Sequence, residues 1–107
     1  MTSTSQTDVQ RPKSVVVEDE VTVAEVVGKY LRREGFDTRI VHDGQSALDI
    51  LRTDGADLVV LDIRMPEMNG YEFMRTLRAE RRDANRPMVP VIVLTAKEKM
   101  EEVFKLE

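Results

Sequence analysis

Apolar positions along the chain fall into two patterns, short unbroken runs and residues recurring at helical spacing. Ser14-Val15-Val16-Val17 is a continuous, largely β-branched run, as expected of a strand covered on both faces, and it stops at Glu18-Asp19-Glu20. Val23, Val26, Val27, Tyr30 and Leu31 then recur with the period of an amphipathic helix. Arg32-Arg33 followed by Gly35 marks its end, with cations at the negative end of the helix dipole. Thr38 to Val41 predicts a short strand, Asp43-Gly44 a turn, and Ala47, Leu48, Ile50 and Leu51 a second helix ending near Asp54-Gly55.

The pattern then repeats. Leu58-Val59-Val60-Leu61 is another fully apolar run, and it too ends on a carboxylate, Asp62. Residues 63–70 predict a loop carrying Met65-Pro66. Asn69 followed three residues later by Glu72 fits a capping box and opens a helix through Phe73, Met74 and Leu77. Arg78 to Pro87 reads as a charged connection, and Arg78, Arg81, Arg82 and Arg86 as a solvated helix end. Val91-Ile92-Val93-Leu94 predicts a third buried strand, ending on Thr95, and residues 97–106 the start of a further helix with Met100, Val103 and Phe104 on one face. Strand and helix alternating in this way imply an α/β fold: a parallel sheet with helices on both faces.

Composition narrows the class. A chain of 107 residues makes one small domain, and 41% hydrophobic content suffices for a core. A formal net charge of −4 argues against direct contact with nucleic acid. There is no cysteine, which excludes disulfides, thiol catalysis and cysteine-ligated zinc, and fits a cytoplasmic setting. The apolar runs are too short to span a bilayer, so no membrane association is expected. Residues 1–13 are polar, without the apolar core of a secretory signal, and read as a disordered tail. His42 precedes the turn and reads as an ordinary surface residue, since one histidine makes no metal site.

The candidate chemistry lies where the strands stop. In parallel α/β sheets, ligands bind outside the carboxyl ends of the strands. Here those ends carry Glu18-Asp19, Asp62 and Thr95, a cluster of carboxylates with one hydroxyl beside it. Packed carboxylates repel, and a hard divalent cation such as magnesium relieves the repulsion through oxygen ligands. A magnesium site beside a free carboxylate suits phosphoryl transfer onto aspartate. Taken singly, Glu18-Asp19 reads as a solvated loop and Asp62 as a helix cap; together with Met65-Pro66 and Thr95 they read as one site.

Three stretches resemble the receiver domains of bacterial-type response regulators: residues 15–20, with Glu18-Asp19; residues 61–70, with Asp62, Met65-Pro66 and Gly70; and Val93-Leu94-Thr95-Ala96. The resemblance runs from about Lys13 to the end, so residues 14–107 form the expected receiver domain. It implies a flavodoxin-like doubly wound sheet of strand order 2-1-3-4. It further implies that Asp62 takes a phosphoryl group from the phosphohistidine of a histidine kinase or phosphotransfer protein, with Mg2+ as cofactor. Asp19, Glu18 (directly or through water), Asp62 and the backbone carbonyl of Arg64 would hold the metal, and Thr95 would contact the phosphoryl group and shift on activation. Pro66 and Gly70 would shape the loop beside Asp62, and Arg64 and Lys97 stand where family members modulate phosphorylation and hydrolysis rates.

One departure is expected to matter. Family members carry a fifth strand with a lysine-proline pair and then a last helix, whereas this sequence stops at Lys105-Leu106-Glu107, and Lys97 follows Thr95 too soon to be that lysine. The domain therefore reads as truncated, with weak or no phosphorylation of this chain and a fourth strand open to homodimer pairing. Two other functions stay in view. An aspartyl-phosphate phosphatase would want an acid-base aspartate where Arg64 stands. A receiver-like interaction domain or engineered fragment would bind partners without phosphorylation.

Overall fold

A computed structural model describes residues 10–63 and 69–94. Their order is β1 (Lys13–Val17), α1 (Val21–Arg33), β2 (Asp37–Val41), α2 (Gly44–Thr53), β3 (Leu58–Asp62), α3 (Gly70–Asp83) and β4 (Val91–Leu94). The four strands form one parallel sheet in the order β2-β1-β3-β4, as the resemblance implies. Residues 64–68 and 95–107 lie outside the described part, and with them Arg64, Pro66, Thr95, Lys97 and the helix expected over 97–106. No described helix is long and apolar enough to cross a membrane.

Alternation along the strands sends side chains to two cores. Val15, Val17, Val59 and Leu61 face α2 and α3, where Ala47, Leu48, Leu51, Phe73 and Leu77 join them. Val16 and Val60 face the other way, against Ala24 and Leu31 of α1. The central strands are therefore covered on both faces, which is why their sequences are unbroken apolar runs. Ser14, the buried polar residue in β1, is satisfied across the sheet: its hydroxyl lies 2.8 Å from that of Thr38 in β2. The sheet begins at Lys13, inside the expected tail, and the neighbouring Pro12 carbonyl accepts from the Asp37 amide at 2.9 Å.

The helices depart from expectation in two places. On α1 the sheet-facing line is Ala24, Gly28 and Leu31, while Val23, Val26 and Tyr30 point outward, Val26 being 64% and Tyr30 60% exposed. Small residues win the inner face because the helix lies close to the sheet: a Cβ on Gly28 would meet Ile40 Cδ1 at 2.7 Å. The second departure is α3, which continues through Arg78 to Asp83 where a charged connection was expected. Its end is set by Asn85 at φ 56, whose amide donates to Arg82 while that of Arg86 donates to Arg81. The same arrangement ends α1, where Gly35 at φ 98 donates to Arg32 and Phe36 donates to Leu31.

Phe73, the largest fully buried side chain among the described residues, ties α3 to the sheet. Phe73→Ala is expected to remove about 3–5 kcal/mol of stability. That is a large fraction of what a domain of this size holds, and urea unfolding followed by circular dichroism measures it.

Candidate functional site at the strand ends

Register decides where the acidic residues meet. Val17 of β1 pairs with Leu61 of β3, so Glu18 and Asp62, the next residues along, arrive side by side. Asp62 in turn pairs with Leu94, the last described residue of β4. Glu18, Asp19 and Asp62 each offer a carboxylate oxygen, and these oxygens all lie within 4.8 Å of one another. Glu18 is only 5% exposed, Asp62 is half-buried, and Asp19 faces solvent.

Several local bonds hold this geometry. The Glu18 amide donates to the Val41 carbonyl at 3.0 Å, extending the β1–β2 ladder past the end of β1. Glu18 Oε2 accepts from the Glu20 amide at 3.1 Å, which folds the carboxylate back over the loop into α1. His42 is exposed, as expected of a surface residue, and its Nδ1 lies 2.9 Å from the Glu18 carbonyl oxygen. Asp43, expected in a turn, caps α2 by accepting from the Ser46 amide at 2.7 Å.

Beyond Asp62 the chain is closed back on itself. The Gly70 amide donates to the Ile63 carbonyl at 2.7 Å, and a Cβ on Gly70 would meet Ile63 Cα at 2.7 Å. Asn69 Oδ1 accepts from the Glu72 amide at 2.9 Å, the capping bond expected from the sequence. A bare glycine and a capped helix start thus press directly on the residue that follows Asp62.

Crowding has an electrostatic consequence. The Glu18 carboxyl is pushed up to about 7, chiefly by burial. The Glu20 amide pulls it back, while Asp62, by hydrogen bond and charge, and then Asp19 push it further up. Such a cluster favours either a bound proton or a cation. Its donors are all oxygen, the set that suits magnesium, calcium or manganese, and its spacing lets one ion draw on more than one carboxylate. The residues present therefore fit a hard divalent ion.

This sheet order and acidic strand edge define a flavodoxin-like α/β domain with a candidate cation site, and comparison with known proteins gives the family. The model of the response regulator receiver domain matches residues 15–106; the chain belongs to that family. The DNA-binding response regulator MtrA of Mycobacterium tuberculosis is 42% identical over 90 residues, which cover 84% of this chain and 37% of that protein. The sensory transduction protein RegX3 of Mycolicibacterium smegmatis is 40% identical over 94 residues, covering 87% and 39% respectively. The chain thus spans less than half the length of these relatives. Among solved structures, the receiver domain of the Francisella response regulator 1452 has a TM-score of 0.69 at 30% identity, over 88% of this chain and 76% of that one. A response regulator receiver protein from Pseudomonas putida has a TM-score of 0.73 at 28% identity, over 92% and 81%.

The raised Glu18 carboxyl links stability to pH. From the usual value of 4.5 to about 7 the folded chain holds a proton that the unfolded chain has lost. Stability from this group is therefore fully present below the lower value and lost as pH rises through the upper one. In metal-free buffer, Glu18→Gln is expected to be more stable than the parent at pH 8, by on the order of 1 kcal/mol. The difference should fade towards pH 5, and thermal melts across that range measure it.

Proposed function

We propose that this receiver domain accepts a phosphoryl group on Asp62 from the phosphohistidine of a histidine kinase or phosphotransfer protein. The observation that carries the reading is the convergence of three carboxylates, from two register-matched strands, within 4.8 Å of one another. In the transfer, an Asp62 carboxylate oxygen forms a bond to phosphorus as the donor's N–P bond breaks, and the electron pair of that bond leaves on the imidazole. Glu18 and Asp19 would hold Mg2+ beside Asp62, and the β1–β2 and β3–α3 bonds keep all three carboxylates on one edge. When bound, the metal offsets negative charge on the phosphoryl oxygens.

The same reading gives the Arg64 carbonyl to the metal and the Thr95 hydroxyl to the phosphoryl group, on the strength of the family motif. It sets the chain in the cytoplasm, in keeping with relatives described as DNA-binding response regulators. DNA contact is not assigned to this domain, whose net charge is −4. Family membership favours phosphoacceptance over binding partners without phosphorylation, and Arg64 at the position of a second acid-base aspartate disfavours a phosphatase.

Incubation with Mg2+ and acetyl phosphate, followed by intact-mass spectrometry, tests the reading. A labile phosphoryl adduct at low occupancy is expected, dependent on the metal and absent from Asp62→Asn. An adduct that survives Asp62→Asn, or one that forms equally well without the metal, contradicts it.

A further inference from the structure

His42 is the residue at this edge whose position the family motif does not explain. It follows β2, and its ring meets the backbone of Glu18 and not a side chain. The backbone pattern shows why a side chain is needed there. In a parallel ladder each residue donates its amide to one neighbour and accepts at its carbonyl from the residue two further on. The Glu18 amide follows this rule by donating to Val41, so the regular donor to the Glu18 carbonyl would be the amide of residue 43. Asp43 instead turns away as the N-cap of α2, at φ −151 and ψ 161, its carboxylate taken by the Ser46 amide at 2.7 Å and hydroxyl at 3.0 Å. The imidazole of His42 supplies the donor at 2.9 Å.

A carbonyl oxygen only accepts, so the proton in this bond sits on Nδ1. The carbonyl belongs to the peptide linking Glu18 to Asp19. Because that unit is planar, fixing its oxygen fixes the direction in which Asp19 leaves the sheet. Asp19 is the solvent-facing member of the acidic trio, so its backbone governs where its carboxylate points.

We propose that His42 is a positioning residue for the acidic cluster, holding the Glu18–Asp19 peptide so that both carboxylates meet Asp62. It touches no metal and no phosphoryl group. The role rests on the magnesium reading above.

Magnesium titration of the chain, followed by NMR, separates the two. His42→Phe, which keeps a ring and loses the donor, is expected to weaken Mg2+ binding about three- to tenfold, the size of one hydrogen bond's net contribution. His42→Asn, whose amide can donate from a similar position, should bind within about twofold of the parent. The lost bond should also lower the melting temperature of His42→Phe by about 4–8 °C, with His42→Asn close to the parent, so the melts show that each variant is folded at the titration temperature. Nitrogen-15 spectra of the metal-free parent, at a pH where the ring is neutral, should show the proton on Nδ1. The role is overturned if His42→Phe binds Mg2+ as tightly as the parent, if His42→Asn is as weak as His42→Phe, or if the Nε2–H tautomer dominates. Should His42→Phe not fold, the tautomer and the asparagine variant decide. A parent that binds no Mg2+, or an Asp19→Asn variant that binds as well as the parent, sinks the site reading and this role with it.

Discussion

Parallel pairing of β1 with β3 is the constraint on which the site depends. Each strand is an apolar run that can be buried on both faces, and each ends on an acidic residue. Because Val17 pairs with Leu61, the pairing that buries the valines also forces Glu18 against Asp62. A slip of one residue would draw Asp57 or Asp62, the carboxylates flanking the apolar run of β3, into a position now held by a buried apolar side chain, so the hydrophobic core itself enforces the acidic contact. The charge repulsion is sustained by burial elsewhere, in Val15, Val16, Val17, Val59, Val60 and Leu61.

That repulsion becomes useful because it is unequal. Glu18 is buried and holds its proton to about pH 7, while Asp19 faces water and Asp62 is half-buried. A cation entering the cluster displaces a proton instead of meeting a full set of charges, so binding and protonation compete at one spot. The surroundings keep that spot from relaxing. Glu18 is tied to β2 through its amide and carbonyl, and Asp62 is braced by Ile63 and Gly70. A preorganised acidic edge of this kind needs little movement to take up a metal and a phosphoryl group.

Much of this was readable from residues alone, for physical reasons that differ by element. The central strands announced themselves because burial on both faces leaves no polar position in Val15-Val16-Val17 or Val59-Val60-Leu61. Asp62 stood out through its place at a strand end before Met65-Pro66 and Gly70. On α1 Val23, Val26 and Tyr30 have helical spacing yet face outward, because Ala24 and Gly28, weak in any hydropathy reading, take the inner face beside Leu31. The last turns of α3 were hidden by their charge, although Asn85 ahead of Arg86-Pro87 was a usable stop signal. Nothing in the sequence could reveal His42, whose role follows from the β1–β2 register and the departure of Asp43 into its cap.

The central claim is that Glu18, Asp19 and Asp62 form one divalent-cation site, and paramagnetic broadening tests it most directly. Substoichiometric Mn2+ added to the nitrogen-15-labelled chain should first erase the amide signals of Glu18, Asp19, Glu20, Asp62 and Ile63, and excess Mg2+ should restore them. Broadening centred on another part of the surface, or spread evenly over the exposed acidic residues, would contradict the account.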